Sequence, residues 1–391
     1  MKRTFRYRKD WPLTIEADLN WTVCADGLRI TGKTLPGNGF SWGRGITVPE
    51  EIDGVPVTEV DTDWRGSLDY IDGPSLKRVT IRISAGPSLF SGEASTLSFS
   101  GELYGSPVEA LTISSQAPLR LGAASKTLKH LSVTAPDIRF LERGFHGCPV
   151  LQTVSFYGPV NADPDWEWTR FDDGLFRNCE RLTAVHGEFQ GGYSGQECFE
   201  NCRSLTTAPS ARVQALASGF FRNCEALRDV HLCNGMKRIN DSAFQGCRSL
   251  EDLYVPDTVT QLGSNVFRDC RGLRSIHLPD RLTEIPDYAF YGCHSLKKVF
   301  LSDNLTQIGT GAFADCLSLR DPWIPKKLRS IGTRAFYGCR FTKPIFLPPS
   351  VEEVGSQAFG PDPDLCIRGF PGTAAEAFAA REHIRFLPCD R

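Results

Sequence analysis

The 391-residue sequence lacks the short motifs that mark common catalytic sites. There is no GxSxG elbow, no HExxH, no Walker A loop and no GxGxxG following a strand. Gly37-Asn38-Gly39 with Gly43 has the wrong spacing and sits among turn residues. The seven histidines are scattered. His231 and His277 share one phase of the repeat described below, but two coils separate them, about 9 to 10 Å at a strand spacing of ~4.8 Å. One zinc ion needs about 2 Å to each nitrogen, so no shared metal is expected. Without a convergent constellation of side chains, the expectation is a non-enzymatic chain with neither cofactor nor metal.

An excess of either charge sign is missing too. The 44 basic and 46 acidic residues leave a formal net charge of -2, so no global field draws in nucleic acid or an anionic membrane. No stretch approaches the roughly 20 apolar residues of a membrane span. The first twenty residues, MKRTFRYRKDWPLTIEADLN, carry basic residues without the apolar core of a signal peptide. Retention in the cytoplasm, a leader removed ahead of Met1 and export by another route all fit, and the compartment stays open.

What is present is repetition. GSNVFRDCRGLRSIHLPDRLTEI and PDYAFYGCHSLKKVFLSDNLTQI stand end to end, each 23 residues long. Phe recurs at Phe221, Phe244, Phe267, Phe290, Phe313, Phe336 and Phe359, and Cys follows three places later at Cys224, Cys247, Cys270, Cys293, Cys316 and Cys339. A fixed period with fixed chemistry at each phase predicts a solenoid, in which coils too short to bury an apolar side alone stack into one core. Length alone would suggest two or three domains, but a core that grows in one dimension predicts one elongated domain.

The phases assign parts to each coil. Asp241, Ser264, Asp287, Thr310, Thr333 and Ser356 form a column of helix-capping types. A short helix is therefore expected to start at Asp241, with Ala243, Phe244, Cys247 and Leu250 facing the core. Leu253 and Val255 alternate with Asp252 and Tyr254, which predicts a short strand with one buried face. Pro256 ends it, with Pro279, Pro325 and Pro348 at the same phase.

These features resemble the leucine-rich repeats of BspA-like bacterial surface proteins and related protozoal proteins. The resemblance is carried by the AFxGC segments 243–247, 289–293 and 335–339 and the Leu-x-x-Leu/Ile/Val-x-Leu/Val-Pro runs that follow. It implies a leucine-rich repeat solenoid with a strand face and short helices opposite, and a secreted or cell-surface protein. As a fold signal it is specific; as a function signal it is poor, because such folds host many binding roles.

Four segments are expected. Residues 1–45, with Trp11, Trp21, Phe40 and Trp42 among turn residues, read as an N-terminal β-hairpin cap over the open core. Residues 46–138 read as irregular, degenerate repeats without the usual helix, beginning with a first coil over 46–60. Their strand signatures are Leu76-x-x-Val79-x-Ile81, Val108-x-x-Leu111-x-Ile113 and Leu128-x-x-Leu131-x-Val133, with Leu97-Ser98-Phe99 weaker. Residues 139–359 are the regular repeats. Residues 360–391 read as a C-terminal cap, with Thr373 capping a helix through Ala379 and a closing strand over 384–387.

Nine of the 14 cysteines occupy one phase inside the apolar face. A ladder offers each sulfur two equivalent neighbours rather than one partner, so buried thiols are expected in preference to disulfides. Cys198 and Cys202 are one residue too wide for a CxxC motif.

Two features stand out as binding candidates. If Leu253 and Val255 point inward, Tyr254 points out, and its phase gives a file of His231, Tyr254, His277, Phe300, Trp323 and Phe346. A mostly basic column precedes it, including Arg274, Lys297 and Arg320. An exposed patch of this kind marks interaction sites, while the bland alternative is a cross-strand ladder that stiffens the sheet. Pro322 beside Trp323 removes one ladder donor. The second candidate is the insertion within 161–174, where the step from Phe145 to Phe176 is 31 rather than 23 residues. Trp166 and Trp168 stand there among acidic residues, as a contact loop, a calcium site or a tolerated insertion folded back on the solenoid; the acidic spacing does not match an EF-hand. The expected partner is a protein, in an adhesion-type role; the alternative is a carbohydrate stacked on the rings, and an architectural role stays open.

Overall fold

The computed structural model describes residues 5–6, 12–13, 20–25, 27–32, 45–47, 50–65, 68–72, 75–84, 97–102, 107–122, 125–140, 144–161 and 173–389. Two compact units, Met1–Gln190 and Gly191–Arg391, divide the chain. Each is built from parallel strands contributed by successive coils.

In the first unit two parallel ladders share the coils. Gly27–Gly32, Val55–Arg65, Arg78–Ser84, Ala110–Ser115, His130–Thr134 and Thr153–Asn161 form one. Gly45–Thr47, Leu68–Asp72, Leu97–Glu102, Leu119–Leu121 and Ile138–Phe140 form the other. The three strand signatures stack in phase: Val79, Leu111, Leu131 and Val154 are successive partners, as are Ile81, Ile113, Val133 and Phe156. All eight are buried. Leu97-Ser98-Phe99 is not a weaker member of that row; it belongs to the second ladder, opposite Leu119–Leu121. Each of these coils thus carries two strands, one in each ladder.

Asn20–Cys24 and Gly27–Gly32 form an antiparallel hairpin whose second strand joins the first ladder. Trp11, Phe40 and Trp42 of the expected N-terminal cap lie outside the described residues. Further on, Asp53 and Gly54 take φ of 51° and 81° between the paired strands Glu51–Ile52 and Val55–Arg65. Asp-Gly suits such a hairpin turn because both central residues need positive φ.

The second unit holds the regular coils, and its core is a spine of phenylalanines. Phe199, Phe221, Phe244, Phe267, Phe290, Phe313, Phe336 and Phe359 stack ring on ring, with neighbouring centroids 5.1 to 5.6 Å apart. All are buried. Two sets of short strands flank the spine. Asp252–Tyr254, Ser275–His277 and Lys298–Phe300 pair in register. So do Glu284–Ile285, Gln307–Ile308, Ser330–Ile331 and Glu353–Val354.

The Phe-Cys segments differ from expectation in form: they are runs of turns, not short helices. Ser242, Asn265, Tyr288 and Arg334 take φ of 55° to 56°, and four residues later Gly246, Asp269, Gly292 and Gly338 are again at positive φ. Left-handed residues four apart stop a right-handed helix from propagating. The backbone donors go to the next coil instead: Ser242, Phe244 and Gly246 donate to the carbonyls of Ser264, Val266 and Arg268 at 2.8 to 2.9 Å. The capping column works the same way. Asp241 Oδ1 accepts the N–H of Ser264 at 2.8 Å and Asp287 Oδ1 that of Thr310 at 2.6 Å, so each carboxylate serves the neighbouring coil. Coils approach closely here. A Cβ added at Gly332 would stand 2.5 Å from the carbonyl carbon of Gly309.

Among the described residues the cysteines form no disulfide, and those of the ladder are buried. Five successive ladder thiols donate to the Phe carbonyl of the preceding coil: Cys247 to Phe221, Cys270 to Phe244, Cys293 to Phe267, Cys316 to Phe290 and Cys339 to Phe313, at 3.0 to 3.2 Å. Burial pushes the thiols of Cys224, Cys247, Cys293 and Cys316 far up and that of Cys339 to about 12.

Near the end of the chain a helix, Ala374–Arg381, sets Phe378 edge-on to Phe359 at 5.7 Å, and the strand Arg385–Pro388 pairs with Cys366–Gly369. Thr373 stands at the N-cap, yet its hydroxyl donates to the Phe370 carbonyl rather than accepting a helix N–H.

Candidate functional site

The in-register strands of the second unit fix the outward file. Leu253 and Ile276 are 4% and 1% exposed, while Tyr254 is 55% exposed. That alternation is the period of two demanded by the pleat. Tyr254, His277 and Phe300 are direct neighbours across the sheet. All six residues of the file, His231, Tyr254, His277, Phe300, Trp323 and Phe346, are exposed, with Phe300 at 63%, Trp323 at 59% and Phe346 at 42%.

The ring contacts along the file are uneven. Tyr254 and His277 stack with centroids 4.9 Å apart and planes 5° from parallel. Tyr254 is bonded to Asp257, and desolvation followed by that carboxylate holds its phenol above the ordinary range. His277 Nε2 lies 3.9 Å from the same carboxylate. Phe346 meets Phe370 edge-on at 6.3 Å, a ring the sequence reading did not include. Among the described residues Phe300 and Trp323 have no ring partner. His231 lies outside any strand, next to Leu232, which bridges to Ala211.

The basic column is also uneven. Arg274 is held by Glu251 at 3.0 Å, whereas Lys297 and Arg320 are exposed and form no ion pair among the described residues.

The sheet is interrupted at Trp323. Lys298–Phe300 ends one ladder and Ile345–Phe346 opens another, and residues 320–325 between them carry no strand. Pro322 accounts for part of this, as the sequence suggested, and Pro344 removes a second donor. The register slips as well: Arg320 bridges to Arg340, not to the residue 23 places on. Asp321, at φ 45°, accepts the N–H groups of Thr342 and Lys343 at 2.8 and 3.2 Å and the Thr342 hydroxyl at 2.5 Å. Burial works to raise its carboxyl, but those bonds and the charge of Lys343 prevail and hold it below the ordinary range. The interruption leaves an open hollow of about 430 Å³ whose lining includes Trp323, Lys326, Lys343 and Phe346. Sequence reasoning missed it, because only Pro322 of the two prolines stood beside the file.

Trp166 and Trp168 lie outside the described residues; the strand before them ends at Asn161. Among the described residues no three His, Cys, Asp or Glu side chains converge as metal ligands. Among the same residues no helix is long and apolar enough to cross a membrane.

Comparison with known proteins locates the repeats. The family model described as BspA type leucine rich repeat region (6 copies) matches residues 145–274 and 262–365. A leucine-rich repeat protein from Bacteroides ovatus has a similar structure over 97% of this chain and 100% of its own, with a TM-score of 0.53 and 16% identity, a likeness of fold. A leucine rich cell surface protein from Faecalibacterium prausnitzii covers 97% of this chain and 95% of its own at a TM-score of 0.40 and 18% identity. No curated protein matches the sequence.

Proposed function

We propose that this chain, which belongs to the BspA-type leucine-rich repeat family, is a non-catalytic protein-binding module of adhesion type that works through the outward file of its second unit. Leucine-rich repeat proteins generally bind other proteins. The observation that carries the reading for this chain is the pair Phe300 and Trp323. Both are more than half exposed, and neither has a ring partner among the described residues. A cross-strand ladder gains about 0.2 to 1 kcal/mol per neighbouring pair, which supplies a purely structural reason for Tyr254 and His277. It supplies none for rings that touch no other ring. Large apolar rings left in water along one face support a surface that becomes covered.

The same geometry favours a protein over a sugar. Among the rings a sugar could stack on, Tyr254 and His277 cover each other face to face while Phe300 and Trp323 stay open, so the preference for a protein rests on the cations of the column. Arg274 is engaged by Glu251, so Lys297 and Arg320 are the cations of the column left to meet carboxylates of a partner.

The test is affinity capture from cells or secretions that contain the partner, comparing wild type with the Tyr254→Ala, Phe300→Ala, Trp323→Ala triple variant. Circular dichroism should be the same for both, since the three side chains are exposed. The proposal expects the variant to lose partners that the wild type holds; a variant that keeps every interaction makes the rings structural.

A further inference from the structure

The break in the sheet at Trp323 has a chemistry that the rest of the file lacks. Between the coil 320–325 and the coil 343–347 no backbone hydrogen bond forms, and the space left is a hollow of about 430 Å³. That size lies within the ~300 to 1,000 Å³ of ordinary binding pockets. Its apolar lining includes Trp323 and Phe346, both exposed, together with Ile324 and Ile345, both buried. Lys326 and Lys343 line it too, and both are exposed without an ion pair among the described residues. The one carboxylate in the lining, Asp321, is engaged by Thr342 and the Lys343 N–H and feels the Lys343 charge, which leaves Lys326 with no carboxylate acting on it in the lining. Towards the other end of the file the balance reverses: Asp257 stands against Tyr254 and His277.

We infer that the hollow receives an acidic peptide segment of the protein partner, with an apolar side chain seated between Trp323 and Phe346 and carboxylates on either side of it meeting Lys326 and Lys343. This rests on the protein-binding reading above and gives it a partner chemistry and a point of anchorage. An aromatic-walled pocket is where binding energy concentrates, and the two ammonium groups, of which Lys343 also acts on Asp321, select against basic or neutral segments. The charge gradient along the file also sets the direction of the partner, whose acidic part lies over the Trp323 end.

The test is selection of a random peptide library displayed on phage against the whole chain, followed by binding of the synthetic consensus peptide. The expected consensus is net negative around one aromatic or aliphatic residue. That peptide should bind wild type and Leu317→Ala equally, because Leu317 is an exposed turn residue outside the file. It should lose roughly tenfold or more on Trp323→Ala and on the Lys326→Glu, Lys343→Glu double variant, and weaken as salt is added. Thermal melts of the variants, which alter exposed side chains only, confirm that each is folded. A neutral or basic consensus, no enrichment at all, or binding indifferent to both hollow variants overturns the inference. If the selected peptides instead lose binding on Tyr254→Ala and Phe300→Ala, the hollow is not the anchor while the strip still binds protein. If binding is indifferent to all of these, the hollow and the strip both fail.

Discussion

Replacing Phe290 by alanine should remove the middle of the spine on which the second unit depends. The ring is fully buried and stacks on Phe267 at 5.3 Å and on Phe313 at 5.1 Å, with planes 19° and 2° from parallel. A buried Phe→Ala change costs about 3 to 5 kcal/mol through lost transfer energy and the cavity left behind. Each ring stack adds about 0.5 to 1.5 kcal/mol beyond area, which puts the expected loss near the top of that range, about 5 kcal/mol. Because each coil is stabilised by its neighbours, the damage should be local. Hydrogen–deuterium exchange followed by mass spectrometry reads this directly. Protection should fall most over the coils of Phe267, Phe290 and Phe313 and least near Arg385–Pro388. Tyr254→Ala, measured alongside, should cost under about 1 kcal/mol because its ring is on the surface. If Phe290→Ala costs no more than Tyr254→Ala, or loosens all coils equally, the coils are not stacked in phase.

The ladder thiols should resist a thiol-reactive reagent in the folded protein, where only Cys24, Cys233 and Cys389 are partly exposed; all 14 should react in denaturant, and fast reaction of the ladder in native buffer would contradict the packing. Stability should fall as pH rises above about 9, because the unfolded chain then ionises thiols that burial keeps protonated in the native state. Each contributes a loss approaching ~1.4 kcal/mol per pH unit, and a melting temperature flat between pH 8 and about 11 would refute it. Gly332→Ala should destabilise by roughly 1 to 3 kcal/mol, since the added Cβ overlaps the backbone of the preceding coil; the check is a denaturant midpoint, and an unchanged midpoint would show that the coils are not in such close approach.

The period and the core were legible in the sequence because buried positions are chemically strict. Phe244, Phe267 and Phe290 could be aligned by eye, and they do share one core. The outward phase of Tyr254 and Phe300 followed from simple alternation. The form of the Phe-Cys segment was harder, because an Asp or Ser that caps a helix can equally accept an N–H from the next coil. A signal was there to be used: Asn201, Asn223, Gly246, Asp269, Gly292, Asp315 and Gly338 are all types that tolerate positive φ, which no helix interior would require. The second ladder of the first unit was hidden by the brevity of Leu119–Leu121 and Ile138–Phe140. The hollow was hidden by a register slip that leaves the spacing of Phe313, Phe336 and Phe359 untouched while moving the partner of Arg320 to Arg340.

The most direct measurement is site-specific photocrosslinking. The photoreactive amino acid p-benzoylphenylalanine is placed at Tyr254 and Phe300 on the outward file and, as controls, at Tyr288 and Leu317, two exposed residues within the Phe-Cys turn segments. The account predicts one protein partner crosslinked from Tyr254 and Phe300 and none from Tyr288 or Leu317. Crosslinking from the turn segments alone, or equally from all four sites, would contradict it.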